Sequence, residues 1–386
     1  MTDYTYYFDI QHLDKVSTCT SIAFDTETLQ LKPELGKLRL LQLGSTARKC
    51  VVVIDIFELS ERGFKQLDLF FSTYRKYWLA HNASFDLGWL AVYGWFPQWQ
   101  IHDSMLASRL LTNGKTNMKH GLQHVAKRYL GIELDKEEQR SDWSGALTES
   151  QLHYAAKDVE VLCELDIPIH QKIADYRVNR AYALECRALP ALTAMANTGL
   201  PFDKAALQAT EVDYEKDIKN LTREFHLELD AALPEGKKLP RNPDESFNFR
   251  ASSSGSKTGT PAGIKRFGEY KPAGFNIGSS KQFLEKITLV LGHTPISPTT
   301  NKPSADKRTM QEHIGEHSVI ATYMQWKRAE KRRQMVAALL KHQSSDGFVR
   351  CSYWQLGADT GRMSCSDPNL QQIPRDEQFR ASVVAP

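Results

Sequence analysis

The sequence lacks paired cysteines, a membrane-length apolar run and a basic leader, and each absence excludes a class of protein. Its six cysteines are scattered without a C-x-x-C pair, which argues against a zinc-thiolate site or a disulfide framework and suits a reducing cytosol. Apolar runs such as Val51–Ile54 are only as long as a strand, so we expect no membrane partner. The N-terminal MTDYTYYFDI has no basic-then-apolar pattern, which predicts no signal peptide and a cytoplasmic location.

Histidine spacing and net charge are similarly uninformative by themselves. The 12 histidines show no H-E-x-x-H or comparable spacing, so we predict surface or core positions for them. Residues 1–180 hold 21 Lys and Arg against 23 Asp and Glu (−2), and residues 181–386 hold 28 against 23 (+5). This asymmetry fits a carboxylate metal site followed by a polyanion-binding part, although a few charges alone do not favour that arrangement. A length of 386 residues allows two or three domains.

The stretch SIAFDTETLQL is the first informative segment, because an apolar run leads directly into two acids. It predicts a strand, and residues two apart on a strand share a face, so Asp25 and Glu27 point the same way. Two adjacent carboxylates repel each other unless a cation lies between them, and Mg²⁺ or Mn²⁺ prefers such oxygen ligands. A single D-x-E is common by chance, and two solvated surface acids are the simpler alternative.

Two later segments supply further acids. YWLAHNASFDLGWL predicts a buried strand over Tyr77–Ala80, a turn, and a helix beginning near Phe85, with Asp86 in its first turn. Asp86 is either a third ligand or an acid favoured by the helix dipole. Thr148-x-x-Gln151 predicts a capping box for a helix running to about Tyr176, on which Tyr154 and the fourth acid, Asp158, share a face. Asp103 in IHDSMLASRLL is interpreted as a helix cap instead of a metal ligand.

The three motifs FDTET, HNASFD and YAAKD occur in the order of the exonuclease motifs of the DnaQ-like (DEDD) superfamily, in its tyrosine-bearing branch. The connecting text resembles the exonuclease domains of ribonuclease D and of family A (Pol I-like) DNA polymerases, over about residues 20–175. The resemblance implies an α/β ribonuclease H-like fold, a mixed sheet flanked by helices. It also implies metal-dependent 3′→5′ cleavage of nucleic acid, which proofreads when it acts on DNA ends.

The resemblance assigns roles to individual residues. Asp25, Glu27, Asp86 and Asp158 would hold two Mg²⁺ or Mn²⁺ ions, which stabilise charge on the attacking and leaving oxygens. Tyr154, a catalytic residue together with Asp25 and Glu27, would orient the attacking water. A phenol of pKa about 10 is a poor base at neutral pH, so the metal ions would have to activate that water. Two further positions would contact nucleic acid: Leu31 as a wedge against the terminal base, with ordinary packing as its alternative, and Asn82 beside it.

The second half also resembles family A polymerases. ECRALPALTAMANTGLPFD resembles the segment that opens the polymerase region, and FNIGSSKQFLEKI resembles a further family segment. Lys204–Leu229 and a basic helical pair within Ser304–His342 together resemble the thumb, with an exposed, mobile loop predicted at about 240–280. The lysines of that loop could contact a nucleic-acid backbone without reading sequence.

The string DTGRMSCSDPNLQQIPR closely resembles the start of the family A palm. Minor-groove acceptors occupy nearly the same places in every base pair, so Arg362, Asn369 and Gln371 could contact a primer end without preferring a base. Arg375 and Arg380 would neutralise phosphates. We therefore expect a primer–template duplex and a single-stranded 3′ end as DNA partners.

The sequence contains no D-Y-S-x-x-E-like or H-D-E-like string, which the polymerase palm would supply. We therefore predict an exonuclease domain (1–180), a mainly helical thumb region (181–345) and a short palm remnant (346–386). A split gene, whose second polypeptide carries palm and fingers, an interrupted gene and a truncated product would each account for the missing motifs. Two alternatives remain: a DNA-gripping subunit without catalysis, and a ribonuclease D-like RNA-processing enzyme, which would not need the palm string. A viral origin would place the protein in the host cytoplasm.

Overall fold

The computed structural model describes residues 3–73, 76–97, 99–115, 117–134, 138, 141–242, 246–247 and 275–384. The loop predicted at about 240–280 therefore lies largely outside the described residues. Within the described part, no helix is both long enough and apolar enough to cross a membrane.

Within the described residues, six strands form one mixed sheet in the order β1-β4-β3-β2-β5-β6. The strands are β1 Thr5–Tyr7, β2 Ser21–Thr28, β3 Leu38–Ser45, β4 Cys50–Asp55, β5 Lys76–Ala80 and β6 Trp99–Asp103. β2, β3 and β4 form an antiparallel meander, whereas β1 pairs in parallel with β4, β5 with β2, and β6 with β5. The predicted mixed sheet is confirmed; β1 and β6, which are short, were not foreseen in the sequence.

Helices cover both faces of the sheet and continue through the second half of the chain. Their bounds are α1 Asp14–Ser17, α2 Glu61–Thr73, α3 Ala83–Val92, α4 Ser104–Leu111, α5 Leu122–Leu130, α6 Glu149–Asp175, α7 Asn179–Thr198, α8 Lys204–Ala232, α9 Ser280–Leu291, α10 Lys307–Glu312, α11 Ser318–His342 and α12 Glu377–Arg380. Short strands follow at β7 Leu200–Pro201, β8 Phe348–Val349, β9 Ser352–Trp354 and β10 Ser364–Ser366.

Helix ends follow the local sequence closely. The capping box of α6 is present: the Gln151 amide donates to the Thr148 hydroxyl at 3.2 Å, and the Thr148 amide donates to the Gln151 side chain at 3.0 Å. α5 begins at Leu122, after the extended Gly121, and ends at Gly131, whose φ of 71° suits glycine.

The described residues divide into two compact units. The first comprises Met1–Leu200 with Phe348–Gln372, and the second comprises Pro201–Gly347 with Ile373–Pro386. In the first, the Arg350 side chain donates to the Asn197 carbonyl at 2.6 Å and the Gln355 amide donates to the Glu185 carbonyl at 2.8 Å. These bonds fasten the segment after residue 347 to α7. The functional division at residues 180 and 345 remains a prediction.

The second unit is built on α8 and α11. Trp326 donates its indole N–H to Thr222 at 2.9 Å and Thr322 donates its hydroxyl to Glu228 at 2.9 Å, so the two helices run antiparallel. Phe283 of α9 stacks on Tyr323 with ring centroids 3.5 Å apart, inside a buried aromatic core. Burial of these large rings stabilises the unit.

Candidate active site

Strand β2 carries two acids on the face that α6 covers. Asp25 and Glu27 are two residues apart and follow Ala23, which packs in the core layer beneath α6. The strand turns away after Glu27, where the pairing with β3 becomes irregular. The two carboxylates therefore project from one strand end at the edge of an apolar layer.

Asp86 lies in the first turn of α3, on the other side of the strand ends. Its carboxylate accepts a hydrogen bond from the Thr26 hydroxyl at 2.6 Å, and only 1% of the residue is exposed. Thr26 alternates with Asp25 and Glu27 along β2, so the same strand that carries two acids also anchors the third.

Asp103 explains why α3 begins at Ala83 instead of near Phe85. Its carboxylate accepts from the amides of Met105 and Leu106, which caps α4 as the sequence predicted. The same carboxylate accepts from the amides of Asn82 and Ala83 at 3.2 and 2.7 Å. One acid thus caps two helices, and it holds the chain just before Asp86.

Helix α6 supplies the remaining two residues from its first turns. Tyr154 and Asp158 are one turn apart on a helix that packs across β2, β3 and β4 through buried residues such as Ala155 and Val159. A hydrogen bond with Asp158 contributes to the environment of the Tyr154 hydroxyl. The predicted i, i+4 pair therefore faces the acids of β2.

The acids influence one another electrostatically. Burial, followed by the charges of Asp86, Glu27 and Asp158, raises the pKa of Asp25 well above its usual range. Burial and the charges of Asp158 and Asp86 do the same to the pKa of Glu27, and burial raises the pKa of Asp86 to about 7. Burial, together with Asp158, Glu27 and Asp25, also raises the pKa of Tyr154. These shifts show that ionisation of Asp25, Glu27 and Asp86 together is disfavoured without added positive charge.

The residues surround a cleft of about 560 Å³. Its walls include the four acids and Tyr154. Leu31 and Asn82, which were predicted to contact the single-stranded end, lie at its rim. Leu31 is 83% exposed at this rim, which disfavours the alternative that it is a packing residue. Asn82 has a left-handed backbone with φ of 63° immediately before α3.

The donor set fits hard divalent cations. Carboxylate oxygens are the ligands that Mg²⁺ and Mn²⁺ prefer, and cations would relieve the mutual repulsion that raises these pKa values. Asp25, Glu27, Asp86 and Asp158 are therefore the residues that would hold them. Two histidines, His81 and His124, line the cleft. Nδ1 of His81 is hydrogen-bonded to the Ser104 hydroxyl at 2.8 Å.

The residues predicted to contact a duplex lie elsewhere. Arg362 is exposed in the connection between β9 and β10, and Gln371 is exposed nearby in the chain. Asn369 is partly buried, and its side-chain oxygen accepts from the Gln371 amide at 3.1 Å. Arg375, also exposed, belongs to the second unit, as does Arg380.

Two buried residues near the cleft, Gln42 and Arg39, were not predicted from the sequence. Gln42 pairs with Asp25 across β2 and β3, is fully buried, and has no hydrogen-bond partner for its amide within the described residues. Arg39 donates to the carbonyls of Trp143 and Gly145 and pairs with Asp55 at 2.9 Å, which fixes the cleft wall that Trp143 forms. Arg39 and Gln42 are the two polar residues in the otherwise apolar run LRLLQL, and this interruption was the available signal in the sequence.

Two family models match the chain in separate regions. Residues 10–174 match the model described as 3′-5′ exonuclease, and residues 264–385 match the model described as DNA polymerase family A. The first region contains all four acids and Tyr154, and the second contains the palm-like string. Both resemblances inferred from the sequence are confirmed.

Individual relatives agree with these regions. DNA polymerase I of Aquifex aeolicus is 27% identical over 368 residues, covering 91% of this chain and 54% of the relative. Ribonuclease D of Shewanella sp. is 33% identical over 150 residues, covering 37% of this chain and 36% of the relative. The chain thus spans about half the length, or less, of these curated relatives.

A solved structure extends the likeness to the fold. The polymerase domain of Pol1 from M. smegmatis, in complex with DNA primer-template and dNTP, aligns with a TM-score of 0.70 over 98% of this chain and 57% of that chain. Its sequence identity is 19%, so the match shows similarity of fold.

Proposed function

Because residues 10–174 match the model described as 3′-5′ exonuclease and residues 264–385 match the model described as DNA polymerase family A, we propose that the chain removes nucleotides from DNA 3′ ends in a divalent-metal-dependent reaction. The observation that carries this proposal is the convergence of Asp25, Glu27, Asp86 and Asp158 with Tyr154 on one cleft of about 560 Å³. In a polymerase, such cleavage removes misincorporated nucleotides and is called proofreading.

The four acids hold two Mg²⁺ or Mn²⁺ ions in this proposal. Bound ions supply Lewis-acid stabilisation of the charge on the attacking and leaving oxygens. Asp86, held by Thr26 and by the backbone that Asp103 fixes, keeps its ligand oxygen in place before ions bind. This preorganisation lowers the cost of assembling the site.

Tyr154 orients the attacking water through its hydroxyl. Its pKa is raised by burial and by the surrounding acids, so the phenol stays protonated at neutral pH and does not act as a base. Leu31, exposed at the rim, packs against the terminal base, and Asn82 contacts the nucleotide from the start of α3. Together they place the last phosphodiester against the acids.

Duplex binding is the second part of the proposal. Arg362, Asn369, Gln371 and Arg375 contact the primer–template. The second unit adds a cleft of about 570 Å³ with several cationic side chains in its lining, which suits a phosphate backbone: Lys307, Lys327, Arg328 and Lys331. The palm and fingers motifs needed for synthesis are not among these 386 residues. We propose that a second polypeptide supplies them.

The test is degradation of a 5′-labelled DNA strand with Mg²⁺. Asp25→Ala should lower the rate by about a hundredfold or more, because a ligand and its charge are lost. Tyr154→Phe should reduce turnover far more than DNA affinity. Asp14→Ala, which removes an exposed acid of the same unit, is the matched control and should cleave normally.

Substrate choice decides between this proposal and the ribonuclease alternative, which the ribonuclease D relatives favour over the first region. DNA and RNA strands of one sequence are compared, with and without a complementary template. Faster shortening of DNA supports the proofreading assignment, whereas equal or faster shortening of RNA supports RNA processing. Full activity in Asp25→Ala would refute the site, and inactivity of the unmutated chain on every substrate would leave DNA gripping as its function.

A further inference from the structure

We propose that His293, His313 and Glu316 form a binding site for a borderline divalent cation, Zn²⁺, in the second unit. The ligand atoms of these three residues all lie within 4.8 Å of one another. They are far along the chain from the exonuclease acids, belong to the other unit, and have no part in the proposed cleavage reaction.

The contacts within the cluster centre on one carboxylate. One Glu316 oxygen lies 2.9 Å from Nε2 of His293, and the other lies 2.5 Å from Nδ1 of His313. The two imidazole rings are 5.3 Å apart between centroids. Both rings therefore direct a nitrogen toward the same carboxylate, so the three candidate ligands already lie close together.

The backbone holds the three positions before any ion arrives. His293 follows Gly292, whose φ of 72° ends α9 and turns the chain toward the cluster. The Glu316 amide donates to the His313 carbonyl at 3.0 Å, in a tight turn after α10. Buried Ile287 of α9 and Met310 of α10 anchor both helices in the core of the unit.

The ligand types select the cation. Two imidazole nitrogens and one carboxylate suit Zn²⁺, whereas Mg²⁺ and Ca²⁺ prefer oxygen ligands throughout. The Zn–N and Zn–O bonds are roughly 2.0–2.2 Å, so the side chains need only small rotations to enclose an ion. Glu316 and His293 are substantially exposed, with side-chain exposures of 41% and 50%, and the site is open to ions in solution.

A bound ion would join the segment after α9 to the turn between α10 and α11. Since an ion that binds only the folded chain stabilises it, we expect the second unit to resist unfolding more strongly when Zn²⁺ is present. Without the ion, neutral imidazoles can donate to Glu316, so the same contacts can persist as ordinary hydrogen bonds. The experiment must separate these two cases.

The test uses the full chain with Asp25→Asn and Asp86→Asn, which disable the exonuclease acids as competing ligands. After chelator treatment, Zn²⁺ is titrated against a chromophoric chelator. We expect about one equivalent to bind, at least about tenfold more weakly after His293→Gln or His313→Gln. Glu312→Gln removes a neighbouring exposed acid outside the cluster and should bind Zn²⁺ unchanged.

Thermal unfolding gives a second measurement on the same proteins. Zn²⁺ should raise the unfolding midpoint of the parent and of Glu312→Gln, and should not raise that of the two histidine variants. Circular dichroism without Zn²⁺ checks that all variants fold. The proposal would be overturned if the parent did not bind Zn²⁺, or if both histidine variants bound Zn²⁺ as tightly as the parent. The cluster would then be a pair of His–Glu hydrogen bonds.

Discussion

At the scale of single residues, two buried acids that lie close together have different hydrogen-bond partners, although burial raises the pKa of both. Asp103 and Asp86 are both almost fully buried, but Asp103 faces four backbone amides and Asp86 faces one hydroxyl and other carboxylates. Amide donors satisfy an ionised carboxylate, whereas neighbouring acids oppose it. Asp103 is thus suited to a structural role, and Asp86 to binding a cation.

The burial of Asp86 predicts how stability depends on pH when metal is absent. The pKa of Asp86 is raised to about 7, whereas an unfolded Asp ionises near a pKa of about 4. The folded state therefore binds more protons between these values, and the free energy of unfolding falls as pH rises through this window. The stability that the Asp86 carboxyl contributes is fully present below about pH 4 and is lost above about pH 7.

Urea unfolding with chelator, from about pH 5 to about pH 7.5, checks this prediction. The midpoint should fall across this range, fall less in Asp86→Asn, and recover when Mg²⁺ replaces the chelator. A midpoint that rises with pH in the unmutated chain, or an identical slope in Asp86→Asn, would contradict the burial-driven rise in the pKa of Asp86.

At the scale of elements, the capped starts of three helices lie close to the site in the chain. α3 and α4 begin against the same Asp103 carboxylate, and α6 begins at the Thr148–Gln151 capping box. Asp86 lies in the first turn of α3, whereas Tyr154 and Asp158 lie one and two turns further along α6 than its first turn. Because a cap fixes the first turn, it also fixes the direction in which these functional side chains point.

Asp103→Ala should therefore destabilise the chain more than loss of an ordinary cap. Four amides would lose their acceptor in a buried place, and we expect a cost of about 3 kcal/mol or more. Asp203→Ala is the matched control, since Asp203 caps α8 through only two amides at the surface, and should cost about 1 kcal/mol. Chemical unfolding measures both.

Equal costs for the two variants would show that the bonds from Asp103 to α3 contribute nothing. Asp103→Asn keeps one acceptor oxygen and should lie between the control and the alanine variant. If Asp103→Asn folds, its cleavage rate on single-stranded DNA should still fall, since the start of α3 positions Asp86.

At the scale of the whole molecule, the chain order differs from the spatial grouping. The palm-like residues 348–372 pack in the first unit, although about 150 residues of the second unit separate them from residue 200 in the sequence. Arg109 of α4 donates to the Leu356 carbonyl at 3.4 Å, beside the connection that carries Arg362. The unit that cleaves single strands in our proposal therefore also carries candidate duplex contacts.

Separate contacts for duplex and single strand predict separable losses. Arg362→Ala should weaken primer–template binding by about threefold to tenfold, to a similar extent for all sequences, and leave cleavage of short single strands nearly unchanged. Arg62→Ala, which removes an exposed arginine from α2, controls for total charge. Equal loss of duplex binding and single-strand cleavage in Arg362→Ala would contradict separate contacts.

The sequence by itself determined the parts of the protein that follow from local periodicity and from recognisable motifs. The strand period gives Asp25 and Glu27 one face, the helix period gives Tyr154 and Asp158 one face, and Thr148 and Gln151 mark where their helix begins. The motifs, in their order, identified the exonuclease and polymerase regions that the family models match.

Only the tertiary structure decided which distant residues meet. It joined Thr26 to Asp86, gave Asp103 a second helix to cap, buried Gln42 beside Asp25, and brought His293 to His313 and Glu316. No sequence period relates residues 17 to 60 positions apart, since their contact depends on how whole elements pack. The same physical reason explains why histidines without a metal-binding spacing can still converge on one carboxylate.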